Sequence, residues 1–145
     1  MASFKVEGLD GLQEELRRAG NITAEGKAEI LTAMGTVAME EQKKEILAME
    51  IYDEENSGRH VVDSIGLTKP KITEDGGKIS VTFKGSRTDK KHKKKVRHAE
   101  IMFVNEYGKR GQQPRPAIRT ANAKAEERIQ QAGQAAFDRL QKQNN

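Results

Sequence analysis

The stretch Asp75-Gly76-Gly77-Lys78-Ile79-Ser80-Val81-Thr82-Phe83-Lys84 decides the fold class. Ile79, Val81 and Phe83 alternate strictly with Ser80, Thr82 and Lys84, which is the period of a half-buried strand with one apolar face. Asp75-Gly76 ahead of it, between two apolar runs, reads as a hairpin turn. The run on the far side of that turn is Val61-Val62-Asp63-Ser64-Ile65-Gly66-Leu67, β-branched in content and broken afterwards by Pro70. A third strand is expected over Ala99-Glu100-Ile101-Met102-Phe103-Val104-Asn105-Glu106-Tyr107, ending at Gly108.

Helices flank this β region. From Ala24 to about Ile51 there is no proline, and Ile30, Leu31, Met34, Val37, Ala38, Leu47 and Ile51 make a loose apolar stripe behind the N-cap candidate Thr23. A shorter helix is expected over 10–20, where Asp10 and Gln13 have capping-box spacing and Gly20-Asn21 ends the run. Pro116 stands at the first turn of a C-terminal helix over 117–140. Its stripe is Ile118, Ala121, Ala125, Ile129, Ala132, Ala136 and Leu140, at spacings of three and four. Residues 141–145 are expected to fray. The reading is one α+β domain: a small antiparallel sheet of three to four strands within 61–107, packed by the long helix 24–51 and the C-terminal helix. No internal repeat is visible.

Composition bounds the function. The chain has 145 residues, enough for one domain, of which 33% are charged and only 34% hydrophobic. A small core with much exposed helix surface follows. No apolar run approaches the length of a membrane span. The first residues, Met1-Ala2-Ser3-Phe4-Lys5, pass straight into polar sequence, so export by a cleaved signal is not expected. With no cysteine there is no disulfide framework, thiolate metal site or cysteine nucleophile.

Catalytic patterns are missing. His60, His92 and His98 do not fall in a metalloprotease spacing, and neither GxSxG nor GxGxxG occurs. Neighbouring carboxylates such as Glu14-Glu15 and Glu126-Glu127 point about 100° apart on a helix and share no focus. Asp53-Glu54-Glu55-Asn56-Ser57-Gly58 offers oxygens without the register of a calcium loop, and Gly108-Lys109-Arg110-Gly111 is too short to cradle a phosphate. Neither an enzyme nor a metal or cofactor is expected. His60 is expected to pack or cap at the start of the first strand, and Tyr107 to bury against the final helix.

Charge is the clearest remaining signal. The net charge of +4 is concentrated in the loop 88–98, TDKKHKKKVRH, whose five Lys and one Arg face a single Asp. A nucleic-acid reader would more often spread its cations along a helix or sheet. Three readings of Lys90, Lys91, Lys93, Lys94, Lys95 and Arg97 stay open: a solvated hairpin tip, a contact for an acidic protein partner, or a nucleic-acid contact. The run lacks interleaved aromatics, so base stacking has no support. On the long helix the stripe is interrupted by EEQKKE over 40–45, where Glu40, Glu41, Lys43 and Lys44 form either a solvated face or a subunit contact. Arg115 and Arg119 stand where cations oppose the dipole of the last helix, which points to an external acidic partner.

Three segments in order then resemble a known pattern. Ser57-Gly58-Arg59-His60-Val61-Val62-Asp63-Ser64-Ile65 is similar to T-G-x-H/L-x-x-S-I. The segment 99–108, with Phe103, Glu106, Tyr107 and Gly108, resembles Y-A-x-F-V-E-F-G-T. Gln113-Pro114-Arg115-Pro116-Ala117-Ile118-Arg119-Thr120-Ala121 is similar to Q-P-A-x-P-F-L-R-P-A. Together, behind a Lys/Glu-rich helix, they resemble the minor tail component family of tailed bacteriophages and prophages, the tail-completion, neck or head–tail joining proteins. The chain departs from that pattern at Lys109, Ala117 and Thr120, and Ala117 stands where the family carries a large aromatic, so the packing there differs.

The resemblance implies a non-enzymatic virion protein at the head–tail junction, made in the host bacterial cytoplasm. It implies a homo-oligomeric ring, six-fold in expectation, whose partners are the tail terminator or tube and the head connector, with contact to packaged DNA and none to membrane. In this reading Gly58, His60, Ser64, Ile65, Phe103, Glu106, Tyr107, Gly108, Pro114 and Pro116 are structural positions of the motifs. The alternative is a small nucleic-acid-binding protein acting through 90–97.

Overall fold

The computed structural model of the chain describes residues 3–5, 22–51, 61–73, 76–89 and 93–143. The expected helix 10–20, the motif residues Gly58 and His60, and the loop residues Lys90, Lys91 and His92 lie outside them. The fold is α+β, as the alternation around Val81 predicts. Its elements are β1 (Ser3–Lys5), α1 (Ala24–Ala48), a 3-10 turn at Val61–Ser64, and six short strands: β2 (Ile65–Leu67), β3 (Lys71–Thr73), β4 (Gly76–Lys78), β5 (Ser80–Phe83), β6 (Ser86–Asp89) and β7 (Lys94–Arg97). Two helices follow, α2 (His98–Tyr107) and α3 (Ala117–Gln143).

The main sheet has three antiparallel strands in the order β1-β5-β2, with Phe4 opposite Val81 and Gly66 opposite Thr82. The two runs read as paired strands, 61–67 and 79–84, do pair, but only Ile65–Leu67 of the first is strand. Val61–Ser64 instead makes a 3-10 turn in which the Ser64 hydroxyl donates to the Val61 carbonyl at 2.6 Å. The expected turn residue Asp75 lies outside the described residues. Between β2 and β5 the chain forms the small ribbon β3–β4, which pairs Thr73 with Gly76, so the two runs are not joined by a single direct turn. A second ribbon, β6–β7, carries the basic stretch.

Helix α1 begins where the Thr23 hydroxyl accepts the Gly26 N–H at 3.1 Å. It stops three residues before the expected Ile51. Glu50 turns left-handed at φ 56°, Glu50 N–H reaches Leu47 O at 3.1 Å, and Ile51 N–H reaches Ile46 O at 3.0 Å. That is a Schellman cap, sealed by the packing of Ile51 with Ile46 in one buried cluster. Helix α3 runs antiparallel to α1, bringing residue 128 beside 41 and 124 beside 45. It continues in regular helix to Gln143.

Two apolar clusters hold these layers together. Ile30, Leu31, Met34 and Ala38 of α1 meet Ile79 and Val81 of the sheet and Ala125, Ile129 and Ala136 of α3. A second cluster gathers Ile46, Ile51, Val61 and Phe83 with Ala99 and Met102 of α2 and Ala117 and Ile118 of α3. Ile65 packs against both.

The expected third strand, 99–107, is a helix. An alternating strand would bury residues of one parity, but the buried residues are His98, Ala99, Met102, Asn105 and Glu106, a helical stripe. Phe103 and Tyr107 are exposed at 53% and 56%. Strand-forming residues such as Ile101 and Val104 suggested an extended run, and the tertiary environment overrides that preference. Gly108 ends the helix at φ 77° and ψ 176°, with its N–H on Val104 O at 2.7 Å.

Candidate interaction surface

The segments singled out by the motifs converge at the junction of α2, the loop 108–116 and the start of α3. The loop closes on itself through Lys109 N–H to Gln112 O at 3.2 Å and Gln112 N–H to Lys109 O at 2.9 Å. Gly111 takes φ 83° at the position where such a turn needs a left-handed residue. The Arg115 N–H then donates to Asn105 O at 2.6 Å, which ties the Pro114–Pro116 segment to α2.

Glu106 is the centre of this junction. Its side chain is buried, its Oε1 accepts the backbone N–H of Ile118, and its Oε2 accepts the Arg119 N–H at 3.3 Å. A carboxylate thus closes the N-terminus of α3, where an anion is favoured and the first N–H groups need acceptors. The Arg119 guanidinium donates to Oε2 at 3.4 Å and to the Glu106 carbonyl at 2.6 Å. Arg115 donates to Asn105 Oδ1 at 3.1 Å and to the carbonyls of Met49 and Glu50 at 3.2 and 3.4 Å. Within the molecule the carboxylate of Glu106 answers Arg119, whereas Arg115 meets only neutral acceptors, Asn105 and two helix-end carbonyls.

Tyr107, expected to be buried, faces solvent. Its ring lies 4.9 Å from that of Phe103, tilted by 50°, and the Arg119 guanidinium sits 5.4 Å from its centroid. The result is an exposed aromatic pair with a cation at its edge. Leu47 at 51% is the other large apolar residue left open among the described residues.

The charged face 40–45 also turns inward in part. Glu41 accepts Arg128 Nη2 at 2.6 Å, Gln42 Nε2 donates to Asn122 Oδ1 at 3.0 Å, and Glu45 accepts Lys124 Nζ at 2.5 Å. These three α1 residues are buried beneath α3, which removes Glu41 from the expected subunit contact. Only Glu40, Lys43 and Lys44 remain toward solvent, with Lys43 3.5 Å from Glu40. The Arg128 hydrogen bond holds the Glu41 carboxyl below its ordinary range, and the Glu45 carboxylate holds the Lys124 ammonium above its own.

On the basic ribbon, Lys93, Lys94, Lys95 and Arg97 are exposed. Arg97 is engaged locally, donating from Nε and Nη2 to Glu100 Oε1 at 3.0 and 2.7 Å. His98 is buried with Nδ1 2.9 Å from Lys84 O, a structural position at the foot of the ribbon. Among the described residues no group of three His, Asp or Glu side chains is placed to hold a metal ion, and no helix is long and apolar enough to cross a membrane. Sequence reasoning missed Arg87 on β6 and the capping role of Glu106, because neither shows a local pattern. Comparison of the chain with family models, with curated proteins and with solved structures finds no match.

Proposed function

We propose that the chain is a non-enzymatic structural subunit of a tailed phage or prophage particle, completing the tail or joining it to the head as a ring. The observation that supports this most is the exposed Phe103–Tyr107 pair with Arg119 at its edge. It lies within the second and third motifs of the family resemblance, and aromatic residues beside an arginine are the side chains most enriched at protein contacts. A ring needs a heterologous contact, one patch of a subunit meeting a different patch of the next. In this reading α2 supplies one patch, and Glu40, Lys43 and Lys44 on α1 belong to the other. The subunit stacks between the head connector and the tail terminator or tube, and its basic ribbon faces an acidic neighbour or the packaged DNA.

The test is solution mass by light scattering over a concentration series at low and moderate salt, together with co-sedimentation with the cognate tail tube or connector. A discrete closed oligomer, or co-sedimentation with either partner, is expected. A monomer at every concentration that also fails to co-sediment at any salt overturns the proposal.

The exposure of Lys93, Lys94 and Lys95 on one ribbon favours a second reading, a small nucleic-acid-binding protein acting through 90–97. It requires binding to DNA or RNA at about 50 mM salt that is lost when those lysines become glutamine.

A further inference from the structure

A cleft of about 480 Å³ opens between α2, the β6–β7 ribbon and the 109–112 turn. Its apolar side is aliphatic, formed by Ile51, Val96, Ile101 and Val104. Three cations line it from three different elements: Arg87 of β6, Lys109 of the turn and Arg115 ahead of α3. Among the described residues Glu100 is the acidic side chain of its lining, and it already accepts two hydrogen bonds from Arg97, so none of the described carboxylates lining the cleft pairs with the three cations. Arg115 is oriented by neutral acceptors, Asn105 and two carbonyls, which fix it without cancelling its charge.

Arg87 is the most informative of the three. It stands opposite Val96 in the ribbon register, is half-buried, and has a guanidinium nitrogen, Nη1, that is shut off from solvent with no hydrogen-bond partner. A buried donor without an acceptor is costly, and on a charged group more so, unless something supplies the acceptor. Nη1 itself is closed to a docking group, but no described anion answers the guanidinium charge, and a carboxylate meeting Arg87 from the cleft matches the guanidinium and offsets that surplus charge. The aliphatic floor calls for an apolar neighbour beside that carboxylate. The cations converge on one cleft instead of tracking along a backbone, and among the described residues its lining offers no aromatic for a base to stack on. Nucleic acid suits neither feature.

We propose that this cleft is a docking site for an acidic peptide segment, one carboxylate taking the Arg87 guanidinium while an adjacent apolar side chain lies on Ile51, Val96 and Val104. The site is independent of the head–tail reading and stands or falls separately from it.

The experiment uses the full chain and a fluorescein-labelled hexapeptide, Gly-Leu-Glu-Asp-Leu-Gly, followed by anisotropy at low salt. The comparison probes are its Gln-Asn counterpart and a labelled oligothymidylate of similar length. Saturable binding of the acidic peptide is expected, with the Gln-Asn peptide about tenfold weaker or worse, as loss of a charged hydrogen bond implies. Arg87→Gln should weaken the acidic peptide about tenfold and Lys109→Gln by a smaller factor. Lys109 is exposed and outside the packed ribbon, so its variant keeps the test valid if Arg87→Gln fails to fold by circular dichroism. The proposal is overturned if the acidic peptide shows no saturable binding up to about 1 mM, the weakest affinity such a site would be credited with. It is equally overturned if the Gln-Asn peptide binds as well, if every variant that folds leaves binding unchanged, or if oligothymidylate binds more tightly than the peptide and loses affinity with the same variants.

Discussion

The buried carboxylate of Glu106, near the end of α2, accepts the backbone N–H of Ile118 in the first turn of α3. This one side chain couples the two helices, because the same carboxylate also receives the Arg119 N–H and guanidinium. Glu106→Ala removes both carboxylate oxygens and leaves the Ile118 N–H buried without that partner. A loss of about 1–3 kcal/mol is expected, the cost of an unsatisfied buried donor. Glu106→Gln keeps one acceptor oxygen and should lose less. Urea unfolding reads both, as a lowered midpoint at unchanged slope.

Gly108 makes the sharp exit from α2 possible. At φ 77° and ψ 176° its backbone lies in a region that residues with a Cβ avoid, and an added Cβ would sit 3.0 Å from Gln112 O and from Pro114 Cγ. Gly108→Ala should therefore destabilise by about 1–3 kcal/mol through strain alone. The Gly111→Ala variant separates strain from crowding, since its φ of 83° is similar but its Cβ position is open. Gly108→Ala is expected to shift the thermal midpoint further than Gly111→Ala.

The seam between α1 and α3 carries a pH dependence. Arg128 holds the Glu41 carboxyl below its ordinary value of 4.5, so the folded state binds that proton less readily than the unfolded chain does. The resulting stability is present above about the unfolded value and is lost as pH falls through the lower folded one. Glu41→Gln removes this component, so the variant's stability should fall less steeply than the parent's below pH ~4.5. Arg128 is half exposed, which keeps the effect within about 1 kcal/mol. Lys124 has the opposite sign: raised by Glu45, its contribution is present below 10.5 and lost as pH rises through the folded value. Denaturant titrations across both ranges measure the two separately.

The basic ribbon is expected to be neutral for folding. Lys94 and Lys95 are exposed on β7, opposite Asp89 and Thr88 in register. Lys94→Gln with Lys95→Gln should change stability by less than about 0.5 kcal/mol, as surface substitutions do. A larger loss by urea unfolding would mean that the ribbon contributes to the core.

Legibility in the sequence tracked the range of the interactions. The stripe Ile118, Ala121, Ala125, Ile129, Ala132, Ala136 and Leu140 was readable because it stands on an otherwise polar helix: Ala132 and Leu140 are half-buried and the other five are buried. Val81 and Phe83 were readable for the same local reason. Glu41, Gln42 and Glu45 were not, because their partners stand about 80 residues away on α3 and a charged stripe alone looks solvated. The dipole argument about Arg119 identified a real need for an anion at that helix end, but placed it outside the molecule. The anion is Glu106, brought there because 99–107 coils into a helix, and strand propensity at Ile101 and Val104 concealed that turn of the chain. Arg87 had no sequence signal at all: its importance comes from the pairing with Val96 that sets it at the cleft.

The smallness of the α3 stripe is itself a requirement. Ala125 is fully buried in the cluster that contains Ile30, Met34, Ile79 and Ile129, and an alanine at this position lets α3 sit close to α1. The close approach is what allows Lys124 and Arg128, one turn apart along the same side of that stripe, to reach Glu45 and Glu41 at 2.5 and 2.6 Å. Ala125→Leu must push the helices apart or force neighbouring side chains off their rotamers, at about 1–3 kcal/mol. If the helices separate, both ion pairs lengthen together, and the acid-side slope attributed to Glu41 should flatten in this variant although Glu41 itself is intact. Ala123→Leu, on the exposed face of the same helix, adds the same side chain without touching the seam. It should leave both the midpoint and the acid slope within about 0.5 kcal/mol of the parent, the range of ordinary surface substitutions.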